Sequence, residues 1–152
     1  MVPQHKNQET LITNYFLGFV HNKWLVVPAI FILFCTMKKI YHLANCGTCQ
    51  TILGKIKAEK KGYELQNIKT EKISPQQLEQ LKELAGSYEA LFSRRALKYK
   101  EMGLKDKKLT EKDYRKLILD EYTFLKRPVV VNGKKIFIGS EKKTVAALEK
   151  EA

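Results

Sequence analysis

Hydrophobic positions change their period several times along this chain, and each change predicts an element. Residues 39–44 read Lys-Ile-Tyr-His-Leu-Ala, a short apolar run of strand character ahead of a Cys-x-x-Cys. From Thr48 to Lys60 the spacing becomes helical, with Ile52, Leu53 and Ile56 on one face, lysines on the other, and Gly62 as the stop. Residues 63–68, Tyr-Glu-Leu-Gln-Asn-Ile, predict a second strand, which makes a parallel β-α-β unit. Ser74-Pro75-Gln76-Gln77 has capping-box spacing and a proline at the first helical position, followed by a stripe of Leu78, Leu81, Leu84 and Ala85. After Gly86 a second helix is expected to carry Tyr88, Leu91 and Phe92 and to run through Ser93-Arg94-Arg95 to Tyr99. Thr110 to Asp113 opens a third, with Tyr114, Leu117, Ile118 and Leu125 at helical steps. The aromatics Tyr88, Phe92, Tyr114 and Tyr122 fall on these stripes and are assigned to packing.

The last third returns to β structure. Residues 127–139 form two short apolar runs around Asn132-Gly133, a strong hairpin signal, with Pro128 at the tolerated first position of its strand. Ser140 is expected to cap a final helix that buries Val145 and Leu148. The order β-α-β, helices, β-β-α describes an α/β, thioredoxin-like layout with a helical insert at about residues 74–126.

Residues 1–36 break the pattern. Two apolar blocks, 11–20 and 24–35, flank His21-Asn22-Lys23, and the second contains Pro28. A membrane-spanning helix needs about 20 apolar residues, and joining the blocks would bury Lys23 near the bilayer centre, so an anchor is a poor reading. A secretory signal needs small residues at its cleavage site, which Leu33-Phe34-Cys35-Thr36 does not supply. The reading adopted is an extension upstream of a natural start at Met37, followed by one domain over 37–152.

Composition narrows the field. A chain of 152 residues with 44% hydrophobic and 29% charged residues has room for one real core, without low-complexity segments. The 28 Lys+Arg against 16 Asp+Glu give a charge of +12, which favours anionic partners. The lysines alternate with glutamates from Lys55 to Lys150, so they describe a mixed solvated surface; direct nucleic-acid binding is not expected, nor is a membrane partner. Setting Cys35 aside leaves two cysteines, the pattern of a reducing cytoplasm in which structural disulfides are rare.

Those two, Cys46 and Cys49, are the candidate chemistry. A thiolate is the reactive form of cysteine, and N–H groups at a helix N-terminus favour it. Cys46 at that position would attack; Cys49, three residues on and on the same face, would resolve the mixed disulfide. Half a zinc site or two ordinary core cysteines are the alternatives, and the first is weakened because no second Cys pair or close His pair accompanies this one. No metal and no cofactor are expected.

From Met37 onward the chain resembles the arsenate reductase/Spx family of thioredoxin-fold proteins. The resemblance rests on Asn45-Cys46-Gly47-Thr48-Cys49, the segment from Ser93 to Lys100, Leu125-Lys126-Arg127-Pro128-Val129-Val130-Val131, and Ile138-Gly139 before the last helix, in that order. It implies Cys46 as nucleophile, an oxyanion held by Arg127 with Arg95 or else Arg94 from the insert, and Pro128 as a structural cis-proline beside the nucleophile. The departures are informative. Cys49 gives the CxxC found in Spx-type members, Lys134 and Lys135 stand near a third arginine's expected place, and Gln50 replaces a basic residue. The resemblance therefore implies a reductase regenerated by thioredoxin or glutathione, with an Spx-like redox switch that binds the RNA polymerase α subunit as the alternative.

Overall fold

The computed structural model describes residues 37–152; the readings made on 1–36, including the start at Met37, lie outside them. Four strands form one sheet in the order β2-β1-β3-β4, with β1 at Lys38–His42, β2 at Glu64–Asn67, β3 at Val129–Asn132 and β4 at Lys135–Ile138. β1 and β2 are parallel, as a β-α-β unit requires, while β3 runs antiparallel to both β1 and β4. Helix α1, Gly47–Ile56, joins the parallel pair, and α6, Lys142–Glu151, follows β4. The insert contributes α2 (Pro75–Ala85), α3 (Tyr88–Leu91), α4 (Leu97–Glu101) and α5 (Glu111–Asp120).

Strand alternation divides the core between the two faces of the sheet. Ile40 and Val130 pack with Ile52, Leu53 and Ile56 of α1 and Leu148 of α6. Tyr41, Val129 and Val131 face the other way, into the insert's Leu78, Leu81, Leu91 and Ile118. All of these are buried. Phe92 is the hub of the insert: its ring stacks on Phe124 at 5.0 Å between centroids and meets Tyr114 at 4.9 Å and Tyr99 at 6.0 Å. Such ring pairs add about 0.5–1.5 kcal/mol each beyond their buried area.

Local signals set the helix starts. Ser74 accepts from the Gln77 N–H while Gln77 reaches back to the Ser74 N–H, and Thr110 and Asp113 reciprocate in the same way. Glu111 adds a tertiary cap, its carboxylate accepting the Tyr88 N–H at 2.7 Å and the Glu89 N–H at 3.3 Å, which fastens α3 to α5.

Five sequence expectations are corrected. The first helix stops at Ile56 because Lys57 adopts the left-handed conformation, and Gly62, also at positive φ, belongs to the following turn. The helix expected from Tyr88 to Tyr99 is broken: Phe92 is extended and bridges Leu125, with the Ser93 N–H donating to the Phe124 carbonyl at 2.7 Å. Long-range pairing supersedes helical spacing there. Leu125 accordingly lies in that bridge and not on α5, which ends at Asp120. The hairpin turns on Gly133-Lys134, because Asn132 pairs with Lys135; glycine with positive φ then occupies the first central position, as type II′ turns prefer. Finally, Glu141 and not Ser140 is the N-cap of α6, without a side-chain cap bond.

Candidate active site

β1 delivers the chain to the site and a tight turn aims it. After His42 the backbone turns so that the Cys46 N–H donates to the Leu43 carbonyl at 3.0 Å, and the Cys46 carbonyl accepts the Gln50 N–H at 3.0 Å as the first bond of α1. The Gln50 side chain braces the turn through the Ala44 carbonyl at 3.1 Å. Cys46 is thereby the extended N-cap of α1, partly exposed, whereas Cys49 lies on the helix face shared with Ile52, Leu53 and Ile56 and is 0% exposed. Both are free thiols.

Electrostatics separate the two sulfurs. The Cys49 N–H lowers the Cys46 pKa most; burial, the next largest effect, opposes it, and the Cys49 thiol, the Thr48 N–H and the Arg127 charge each lower it further, so that the net shift is downward. Cys49 is pushed up to about 11, chiefly by burial and further by donating to a sulfur that prefers to be negative. One thiol is poised to ionise and the other to hold its proton.

Arg127 reaches the site through the sheet register. Tyr41 pairs with Val129, so Pro128 and Arg127 come level with the end of β1 and the turn that carries Cys46. The Arg127–Pro128 peptide bond is cis, and the Pro128 carbonyl accepts the Gly139 N–H at 2.8 Å, drawing the end of β4 to the same edge. The preceding strap is pinned by the Lys126 N–H on the Leu91 carbonyl at 2.8 Å and by Lys126 Nζ on the Ala90 carbonyl at 2.9 Å. Arg127 is half-buried, its charge favours the thiolate of both cysteines, and its Nη1 is enclosed without a hydrogen-bond partner.

The other two arginines are placed differently. Arg94 Nη2 binds Glu89 at 2.6 Å and the Tyr114 hydroxyl at 3.1 Å. Arg95 is exposed and makes no hydrogen bond or ion pair among the described residues. The antiparallel bridge from Phe92 to Leu125 sets Leu91 beside Lys126, so residues 93–95 leave it at the end opposite Arg127. The structure thus brings together Cys46, Cys49, Arg127 and Pro128.

Pattern reading passes over His42. It is buried at the end of β1, Nδ1 has no partner, and burial lowers its pKa, which keeps the ring neutral near pH 7. The available signal was its parity with Ile40, which puts it on the α1 side of the sheet. Among the described residues no group of three or more His, Cys, Asp or Glu is arranged to hold a metal ion, and no helix is long and apolar enough to cross a membrane.

Comparison with known proteins supports the fold that carries this site. The ArsC family model matches residues 41–148. A Staphylococcus aureus protein of solved structure is 27% identical, with a TM-score of 0.59 over 73% of this chain and 97% of that one. An arsenate reductase of Vibrio cholerae is 16% identical, TM-score 0.62, over 77% and 100%. An arsenate reductase (ArsC) related protein of Brucella melitensis is 22% identical, TM-score 0.55, over 74% and 93%. The search of curated proteins returned no match. With most of its length matched by the family model and a thioredoxin-like sheet under its CxxC, the chain belongs to the ArsC family.

Proposed function

We propose that this protein is an arsenate reductase-like thiol–disulfide oxidoreductase in which Cys46 is the nucleophile and Cys49 the resolving thiol. The observation that carries this reading is the placement of the two thiols at one helix start, Cys46 as the partly exposed N-cap and Cys49 buried three residues on, and the opposite directions of their pKa shifts agree with it. The Cys46 thiolate attacks one sulfur of a substrate disulfide, forming a mixed disulfide and expelling the other half as a thiolate. Once Cys46 is neutral in that bond, part of what held the proton on Cys49 is gone. Cys49 then loses its proton and attacks Cys46, releasing the second substrate half as a thiolate. Two electrons pass from the protein dithiol to the substrate disulfide, and a Cys46–Cys49 disulfide remains. Thioredoxin or glutathione would return it to the dithiol.

Arg127 serves this chemistry twice, by favouring the thiolate and by placing the positive charge of a half-buried guanidinium beside Cys46, where it attracts an anionic substrate. With an oxyanion as substrate the same dithiol supplies two electrons and one oxygen departs as water. Arg95 is the second candidate donor; Arg94 would first have to leave Glu89 and Tyr114. The thinner arginine set favours disulfides over oxyanions as substrates.

One observation keeps an Spx-like regulator in view. Leu97 is 78% exposed and Met102 47%, among Lys98, Lys100 and Lys105, an apolar pair in a basic setting suited to docking a protein such as the RNA polymerase α subunit. A turnover assay separates the readings. Sustained reduction of a small disulfide, abolished by Cys46→Ser, supports the enzyme; a stoichiometric reaction without turnover, together with capture of purified α subunit, supports the regulator.

A further inference from the structure

β4 is an edge of the sheet, and among the described residues it pairs only with β3. The Gly139 N–H points toward β3, where it donates to the Pro128 carbonyl at 2.8 Å. Alternation along an antiparallel pair turns the backbone groups of Lys135 and Phe137 the same way and leaves the N–H and C=O of Ile136 and Ile138 facing outward. These outward groups make no hydrogen bond among the described residues. Beside them lies an open hollow of about 720 Å³, with Leu84 of α2 on one side, the α6 face from Lys143 to Glu151 on the other, and Ile136 and Phe137 between. α6 runs back along β4, since Glu151 binds Lys135 at 2.6 Å and its carbonyl accepts from the Asn132 side chain at 2.8 Å at the hairpin end. The α6 wall is about 12 Å long and β4 about 13 Å, so the hollow follows the strand. Its charge is one-sided: Lys135 is paired with Glu151, whereas Lys143 and Lys150, toward the two ends of the α6 wall, are exposed and make no ion pair among the described residues.

We propose that β4 is a docking edge for an extended, acidic segment of a partner protein, which adds to the four-stranded sheet as a further strand. Backbone bonds to Ile136 and Ile138 supply affinity, and alternate side chains of the segment turn toward Leu84 or toward α6. Carboxylates on the α6 side meet Lys143 and Lys150, which sets the choice of partner. A second copy of this chain is the wrong occupant, because edge-to-edge pairing would bring the same lysines of two molecules of charge +12 together. No wall residue of the hollow comes from the Cys46 turn or α1, so docking here is separate from the thiol chemistry.

The test uses the full chain and the peptide acetyl-Glu-Val-Glu-Val-Glu-Val-amide, with binding followed by amide NMR shifts and hydrogen exchange. The peptide is expected to shift the Ile136 and Ile138 amides of the wild type and to slow their exchange. The double variant Lys143→Glu, Lys150→Glu should bind about tenfold more weakly, the scale of two surface charge pairs, with the Cys46 alkylation rate unchanged. The same peptide N-methylated throughout keeps its carboxylates, lacks every backbone donor and should not bind. This comparison uses the wild type alone, so the answer does not depend on how a variant folds. Equal binding of the methylated peptide overturns strand addition, and equal binding of a peptide with lysine in place of each glutamate overturns the choice of an acidic partner. Unchanged exchange at Ile136 and Ile138, or a dimer of the full chain that protects them without peptide, also overturns the proposal.

Discussion

The thiol of Cys49 donates a hydrogen bond to the sulfur of Cys46, and this one contact lowers the pKa of the acceptor while it raises that of the donor. The partners differ in exposure as well, since Cys46 borders solvent and Cys49 is enclosed by the α1 face of the core. Exposure and a lowered pKa thus fall on one residue, burial and a raised pKa on the other, three positions apart.

Alkylation should follow that division. The rate at Cys46 is expected to rise with pH around a midpoint below the ordinary thiol value of about 8.5, because only the thiolate reacts. Cys49 should stay unmodified until the pH approaches about 11. Iodoacetamide labelling with peptide mapping reads both, and separates Cys35. Earlier labelling of Cys49 would reverse the assignment.

Arg127→Ala should raise the Cys46 pKa slightly, since the helix-start N–H groups and the Cys49 thiol exert the larger effects. Reaction with an anionic substrate should fall by about tenfold to a hundredfold, on the scale of one lost charge-assisted contact. Arg127→Lys should restore part of the pKa shift and little of the anion reactivity, because an ammonium lacks the fork. Stability should hold or improve, as Nη1 is buried without a partner. Thiol titration and thermal melts of the three proteins check this; unchanged anion reactivity in Arg127→Ala removes the residue from the site.

Phe92→Ala should cost about 3–5 kcal/mol, the usual range for deleting a buried ring, whereas Phe92→Leu should cost less because it keeps most of the volume. The ring contacts Phe124, Tyr114 and Tyr99 and holds the insert against the strap that leads to Arg127. Urea midpoints measure the loss. A midpoint shift no larger than that of a surface substitution would show that the cluster is not the hub of the insert.

Glu111→Ala should remove about 1 kcal/mol, the usual worth of a helix cap, by leaving the Tyr88 and Glu89 N–H groups without their carboxylate. The Cys46 alkylation rate should stay at the wild-type value, since the cap lies in the insert. A slower Cys46 reaction would mean that the insert controls the thiol.

The elements that local chemistry specifies were the legible ones. A proline after Ser74 with Gln77 completing the box, Thr110 with Asp113, and a strand delivered into Cys-x-x-Cys each fix an element within a few residues. Phe92 misled the pattern because its spacing suits a helix while its partner, Leu125, lies 33 positions away in the chain. Hairpin register defeated the Asn132-Gly133 signal by one residue, since β3 extends its pairing to Asn132. At the candidate site, the motif pointed to Cys46 and Cys49, and the family resemblance pointed to Arg127. The resemblance ranks Arg95 ahead of Arg94 by its distance from Tyr99, and the contacts of Arg94 with Glu89 and Tyr114, which only the fold reveals, separate the two by a different criterion. His42 carried no local signal beyond its strand parity.

The central claim is that Cys46 attacks and Cys49 resolves, and the most direct measurement is quantitative mass mapping after mixing the reduced protein with one equivalent of hydroxyethyl disulfide. The account predicts two equivalents of mercaptoethanol released, an internal Cys46–Cys49 disulfide in the wild type, and a stable mixed disulfide on Cys46 in Cys49→Ser. A stable adduct on Cys46 in the wild type, an adduct on Cys49 in Cys46→Ser formed at the wild-type rate, or no release of thiol would contradict it.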